Sequence, residues 1–194
     1  MKLYFAPGAC SLADHIALHE AGLSFDHVKV DLKAKKTETG EDFNSINPKG
    51  YVPALALESG EVLSENIAIL DWIAHQNTAL APTGAMGHTH LLEALAFIST
   101  EIHKSFKPFF AGASDADKSK ASELILKRMS YLADTMQGDF IFGSKVSVAD
   151  CYLFVMLLWA KKFSLAEPEK LNAFHDRMKT LPSVQKAMKH EGLA

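Results

Sequence analysis

The sequence predicts an α/β domain followed by an all-helical domain, and three observations carry that prediction. Strand-like and helix-like stretches alternate up to about residue 76, Ala81-Pro82-Thr83-Gly84 interrupts them, and the apolar residues that follow recur at helical spacing. At 194 residues the chain can bury the core of one large domain or two small ones. The expected division is an α/β domain over 1–78, a linker over 79–87 and a helical domain over 88–194.

The first domain opens with an apolar strand, Lys2–Ala6. A helix over Ser11–Ala21 follows, with Ser11 and Asp14 as a capping pair and Gly22 as its stop. Asp26–Asp31 alternates, with Val28 and Val30 on one face, and reads as a strand parallel to the first. Lys33–Asn47 is polar and irregular. Val52–Leu57 is a third strand, and the Glu58–Glu61 turn leads to a short antiparallel Val62–Leu63 strand. Ser64 then caps a helix marked by Ile67, Leu70, Ile73 and Ala74. This β-α-β, connector, β-β-α order is the thioredoxin-like topology. In the second domain, His88–Lys107 carries Leu91, Leu95, Ile98 and Ile102 on one stripe and ends at Pro108. Lys118–Gln137 is amphipathic, and Ser147–Phe163 is apolar nearly all round, as a buried central helix requires. Two shorter helical segments lie near 171–180 and 183–190.

Composition narrows the function classes. A net charge of −3, with 48% hydrophobic and 22% charged residues, gives no electrostatic reason to expect nucleic acid or an anionic membrane. Two cysteines make no disulfide framework, which points to a reducing cytosol. Met1–Phe5 runs directly into a strand pattern without a signal-peptide core, and the apolar run Cys151–Ala160 is too short to span a bilayer. A cytoplasmic location is expected. No histidine falls in a zinc spacing with cysteine or a second ligand, so no metal is expected. No Gly-rich phosphate loop and no G-x-S-x-G elbow occur.

The chemistry centres on Cys10. It follows a strand and a Pro7-Gly8 turn and precedes a helix, where unpaired N–H groups favour thiolate over thiol, so its pKa is expected below that of free cysteine. Ala13 stands where a C-x-x-C pair would place a second thiol, which favours a bound thiol ligand over an internal disulfide. Val52-Pro53 opens a strand and is a candidate cis peptide bond, presenting the Val52 backbone as an edge for a peptide-like ligand. Ser64-Glu65-Asn66 begins a helix, where N–H groups favour a carboxylate and Glu65 suits an ammonium, together an amino-acid head group; the same motif also serves as a plain helix cap. His103-Lys104 shares a helical face with Ala96, Ser99, Phe106 and Phe110, which suits a ligand cleft or an ordinary surface histidine alike. Phe106, Phe109, Phe110 and Trp159 wall an apolar pocket or are simply core. Cys151 is structural, since Ser147 and Asp150 form a capping box and Val146 with Cys151 a hydrophobic staple.

Taken in order, Met1–Tyr4 with Pro7–Leu12, Asn47–Pro53, Leu63–Asn66 with Ala68-Ile69, Glu101–Ser105, and Val148–Asp150 before Tyr152–Phe154 resemble the bacterial beta-class glutathione transferases over nearly the whole chain. The resemblance implies the glutathione transferase fold, glutathione as co-substrate, a detoxifying transferase, and a homodimer with its cleft between domains. It implies that Cys10 meets the glutathione sulfur, with His103 as the second catalytic residue. The positions of Val52 and Pro53 pair with the cysteinyl backbone, those of Glu65 and Asn66 hold the γ-glutamyl end, and that of Lys35 reaches the glycine end. Those of Thr100, His103 and Lys104 border the same site, Glu101 contributes across the dimer, and Ala9 and Trp159 lie at the second-substrate pocket. The chain departs from the family at Ala96, where an asparagine is common, and at Asn66, where a small residue is common.

Three activities are compatible with these residues. The first is conjugation of glutathione to small apolar electrophiles. The second is thiol–disulfide exchange or reductive dehalogenation through Cys10. The third is a non-enzymatic binding or regulatory role on the same fold.

Overall fold

The structure, a computed structural model, describes residues 1–193. It comprises two compact units, one of Met1–Thr78 together with the chain from Leu181 onward, the other of Ala79–Thr180.

The first unit is built on β1 (Lys2–Phe5), α1 (Ser11–Glu20) and β2 (Asp26–Asp31), with β1 and β2 parallel in the register Lys2 to Asp26 through Phe5 to Lys29. Two further elements lie within the stretch expected to be irregular: β3 (Lys36–Thr37), antiparallel to β2, and α2 (Phe43–Ile46), capped by the Asp42 side chain. Elements of two and four residues are too short to show a period. β4 (Ala54–Ala56) runs antiparallel to β1, β5 (Val62–Ser64) antiparallel to β4, and α3 (Asn66–Gln76) follows, giving the sheet order β3-β2-β1-β4-β5. β1 lies mid-sheet, and its Leu3, Tyr4 and Phe5 are all buried. Leu12 and Ile16 of α1 and Ile69, Leu70 and Ile73 of α3 are fully buried where the two helices pack. Each such side chain contributes roughly 1.5–3 kcal/mol.

In the second unit, α4 (Gly87–Phe97) is followed by a π-helical segment at Ile98–Ile102, a 3₁₀ turn at His103–Phe106 and α5 (Lys107–Phe110). The single helix expected over 88–107 is therefore broken. Pro108 does not end it but sits in the first turn of α5, where its missing N–H needs no partner. Gly87 is obligatory, because a Cβ there would lie 2.0 Å from the Pro82 carbonyl oxygen. α6 (Asp115–Thr135) starts three residues earlier than expected, capped by Ser114. α7 (Val148–Lys162) is buried along nearly its whole length and carries the expected Ser147–Asp150 capping box. α8 (Glu169–Thr180) completes the unit.

The last helix, α9 (Pro182–His190), packs on α1 in the first unit rather than with the helical domain, so the expected range 88–194 differs from the structure at its C-terminal end. The reason is a buried polar anchor. Glu191 Oε1 lies 3.0 Å from His15 Nδ1, and its Oε2 accepts the Gly8 N–H at 2.9 Å. Burial pushes the Glu191 carboxyl up to about 8 and the His15 imidazole down to about 4, so the pair carries one proton between them at neutral pH. Among the described residues no helix is long and apolar enough to cross a membrane.

Candidate active site

In the first unit the end of β1 turns through Pro7-Gly8, with Gly8 at φ +68°, and delivers Cys10 to the N-cap of α1. No side chain caps this helix. Ser11 faces back toward Ala6, receiving its N–H at 3.3 Å and reaching its carbonyl at 3.4 Å, so the expected Ser11–Asp14 cap does not form. The Val52–Pro53 bond is cis, and the Val52 carbonyl lies 3.8 Å from Cys10 Sγ.

The N–H groups of Cys10 and Ser11 do favour the thiolate, as the helix start predicts. They are outweighed by burial, and then by the carboxyl of Asp14 one turn along α1, and the Cys10 thiol is pushed up to about 12. The expectation of a lowered pKa is therefore overturned. Desolvation is a tertiary effect that the local sequence does not carry. Burial also drives the Asp14 carboxyl well above its ordinary range. The Asn66 amide, oriented with its nitrogen inward, donates to Asp14 Oδ2 at 2.6 Å and to the Cys10 carbonyl at 3.2 Å. This side chain braces α3 against the start of α1.

Glu65, at φ +75°, is the N-cap of α3, in place of Ser64, which ends β5. Its carboxylate is held by the Lys49 ammonium and by the Tyr51 hydroxyl at 2.6 Å, and these hydrogen bonds lower its pKa. Both partners lie in the Asn47–Pro53 stretch, where no local spacing marks them as partners of Glu65. Lys35, also at positive φ, donates to the Gly50 carbonyl at 2.6 Å.

The remaining candidates belong to the second unit. Thr100 and Glu101 lie in the π-helical segment, where Thr100 Oγ1 donates to the Ala96 carbonyl at 2.9 Å and Glu101 pairs with Arg128 at 2.8 Å. His103 opens the 3₁₀ turn beside exposed Lys104. Its Nδ1 lies 2.5 Å from the Tyr152 hydroxyl and its ring stands edge-on to Trp159 at 4.9 Å. Burial, then the Lys104 charge, lowers the His103 pKa to about 4, so the ring is neutral at pH 7. Tyr152, a residue of the central helix, was not anticipated as its partner. Of the aromatic set, Phe106 is fully buried core, whereas Phe110 is half exposed and, with His103, Lys104 and Lys107, lines a cavity of about 370 Å³.

Models of the glutathione S-transferase N-terminal domain and C-terminal domain match residues 9–76 and 100–191. Glutathione S-transferase GstA of Escherichia coli O157:H7 is 40% identical over 200 residues, with both chains fully covered. The chain belongs to the glutathione S-transferase family. A sphingomonad glutathione S-transferase solved with glutathione is 48% identical to this transferase, at a TM-score of 0.92 and full coverage of both chains. The beta-class enzyme of Sphingomonas chungbukensis is 46% identical, at a TM-score of 0.91 and again full coverage. The transferase is of the bacterial beta class.

Proposed function

We propose that this transferase conjugates glutathione, its co-substrate, to small apolar electrophiles, with Cys10 acting as a hydrogen-bond donor and not as the nucleophile. The observation that carries this reading is the pairing of a neutral Cys10 thiol with the Val52 carbonyl at a cis Val52–Pro53 bond. A peptide-like ligand lying along the Val52 edge brings its own thiol beside Cys10. The glutathione thiol gives its proton to solvent, and the Cys10 S–H turns from the Val52 carbonyl to donate to the resulting thiolate. The thiolate attacks the electrophilic carbon, the S–C bond forms and the leaving group departs with its electron pair. Glu65 receives the γ-glutamyl ammonium, exchanging part of its bonding to Lys49 and Tyr51, while the start of α3 suits the neighbouring carboxylate. Lys35 is assigned to the glycine carboxylate.

The cavity beside Phe110 offers the electrophile an apolar wall, and neutral His103 offers it a hydrogen bond. Thr100, Glu101 and Lys104 are assigned to the same machinery. The working form is a homodimer in the cytoplasm.

The test compares wild type with Cys10→Ser and Cys10→Ala. Wild type is retained on immobilised glutathione and conjugates chlorodinitrobenzene. Cys10→Ala raises the pKa of bound glutathione, read from its thiolate absorbance, by about 1 unit, while Cys10→Ser stays within about tenfold of wild type in kcat/KM. Turnover confined to a Cys10–glutathione mixed disulfide, lost in both variants, would assign the chain to thiol exchange. Failure to bind glutathione would leave only the non-enzymatic role.

A further inference from the structure

Away from Cys10, the first unit gathers histidines from three elements that are distant in sequence. His15 lies in the middle of α1, His27 on β2 and His190 at the end of α9. One ring nitrogen from each lies within 4.8 Å of the others. The His27 and His190 rings stack at 4.4 Å and 13°, and His19, one turn after His15, stands at the edge of the group.

A purely structural cluster of rings would not need its nitrogens to converge, yet they do. His15 Nδ1 is committed to buried Glu191 at 3.0 Å, which leaves His15 Nε2 to face His190 Nδ1, 3.3 Å away. His19 Nε2 faces the same His190 Nδ1 at 3.4 Å. One imidazole nitrogen thus meets two others and can give at most one proton to them. A tetrahedral ion bound at roughly 2.0–2.1 Å places its nitrogen ligands roughly 3.3–3.4 Å apart, and the His15–His190 pair already has that spacing. The Glu191 side chain behind His15 is the outer partner that orients a ligating imidazole, and it is itself held by the Gly8 N–H at 2.9 Å.

We propose that His15, His27 and His190 form a binding site for a first-row divalent transition metal, with Zn²⁺ as the reference ion. An all-imidazole set selects this class of ion over Mg²⁺ or Ca²⁺, which require oxygen ligands. His15 is fully buried, whereas His27 and His190 are partly exposed, so an ion reaches the site from solvent through them. Rotation of the His27 ring off His190 brings its nitrogen to ligating distance, and water or His19 completes the coordination. A bound ion ties β2 and α9 to α1. The sequence offered no hint of this site, because its ligands share no local spacing.

The experiment uses the full chain carrying Cys10→Ala, so that the thiol contributes no ligand, after dialysis against a chelator. Co²⁺ titration should give the visible absorption of a tetrahedral nitrogen site at one equivalent. Zn²⁺ should displace the Co²⁺ and raise the melting temperature. His27→Phe and His190→Phe keep a ring in place and should each weaken Zn²⁺ binding by about 100-fold or more. His75→Ala and His90→Ala, at exposed histidines outside the cluster, should bind like the parent. Absence of one-equivalent binding, or unchanged binding in folded His27→Phe and His190→Phe as judged by circular dichroism, overturns the proposal. Loss of binding in His75→Ala or His90→Ala also overturns it, by locating the ion elsewhere.

Discussion

Two helices in this molecule begin in opposite ways, and each beginning carries one of its two cysteines. α7 starts closed: Ser147 caps it, and the buried Asp150 carboxylate accepts from the backbone N–H groups of Ser147 and Ile141 and from the Ser147 hydroxyl, at 2.6–2.8 Å. Cys151, just inside, is fully buried and donates to the Ser147 carbonyl. α1 starts open: its N-cap is Cys10 itself, no side chain caps it, and Ser11 faces away. α3, where Glu65 sits at positive φ, is likewise uncapped. Where the helix start serves stability, the chain satisfies its donors internally. At α1 the Leu12 and Ala13 N–H groups turn to the Ala9 and Cys10 carbonyls with no side chain taking part, and α3 likewise has no side-chain cap; those are the two starts proposed to face glutathione.

The closed start breaks most visibly at Asp150. Asp150→Ala removes the acceptor of two buried N–H groups and one hydroxyl at once, and should lower unfolding stability by about 3–5 kcal/mol in urea titration. A loss below about 1 kcal/mol would mean that this start is not closed in the sense argued. At the open start the sharpest readout is alkylation. With its thiol near 12 against an ordinary value of 9.0, Cys10 of the ligand-free protein should react with iodoacetamide about 10–100-fold more slowly at neutral pH than an unperturbed thiol, the smaller thiolate fraction being offset in part by a more basic sulfur. Its rate should keep climbing tenfold per pH unit past pH 10, because deprotonation is far from complete there. A plateau near pH 7 would reverse the donor role proposed for Cys10.

Glu65 tests the second open start. Glu65→Gln should weaken glutathione binding by about 10–100-fold in calorimetry, by removing a charge-assisted contact, and should leave the melting temperature nearly unchanged because the side chain is largely exposed. Comparable losses in affinity and stability would make this residue a structural cap like Ser147.

Much of this contrast was legible in the sequence because it is local. The capping box spans four residues, the βαβ unit follows from period and turn residues, and Val52-Pro53 in its setting announces the cis bond. What escaped was set by chain folding. The Lys49 and Tyr51 contacts to Glu65 need a loop to bring them back, and Tyr152 reaches His103 from another helix. The π-helical segment shifts the register of the face expected to unite Ala96 with His103, and a fixed helical period cannot register that shift. Ser11 and Ser64 carry cap-like sequences yet are not caps, since the backbone begins each helix one residue away. α9 joined the first unit through Glu191, whose partners His15 and Gly8 lie at the other end of the chain.

The smallest effect is also the most direct comparison of the two starts. Ser147→Ala removes the cap of α7 and the hydroxyl that reaches Asp150 at 2.6 Å, and should cost about 1–2 kcal/mol of stability. Ser11→Ala removes only the two long contacts to Ala6, at 3.3 and 3.4 Å, and the Ala6 carbonyl keeps the Ala9 N–H. It should cost about 0.5–1 kcal/mol, with glutathione binding preserved. Both serines stand at the first turn of a helix, and an S-x-x-D pattern marks both. If urea titration gave them equal losses, Ser11 would be capping α1 after all, and the contrast between the two helix starts would fall.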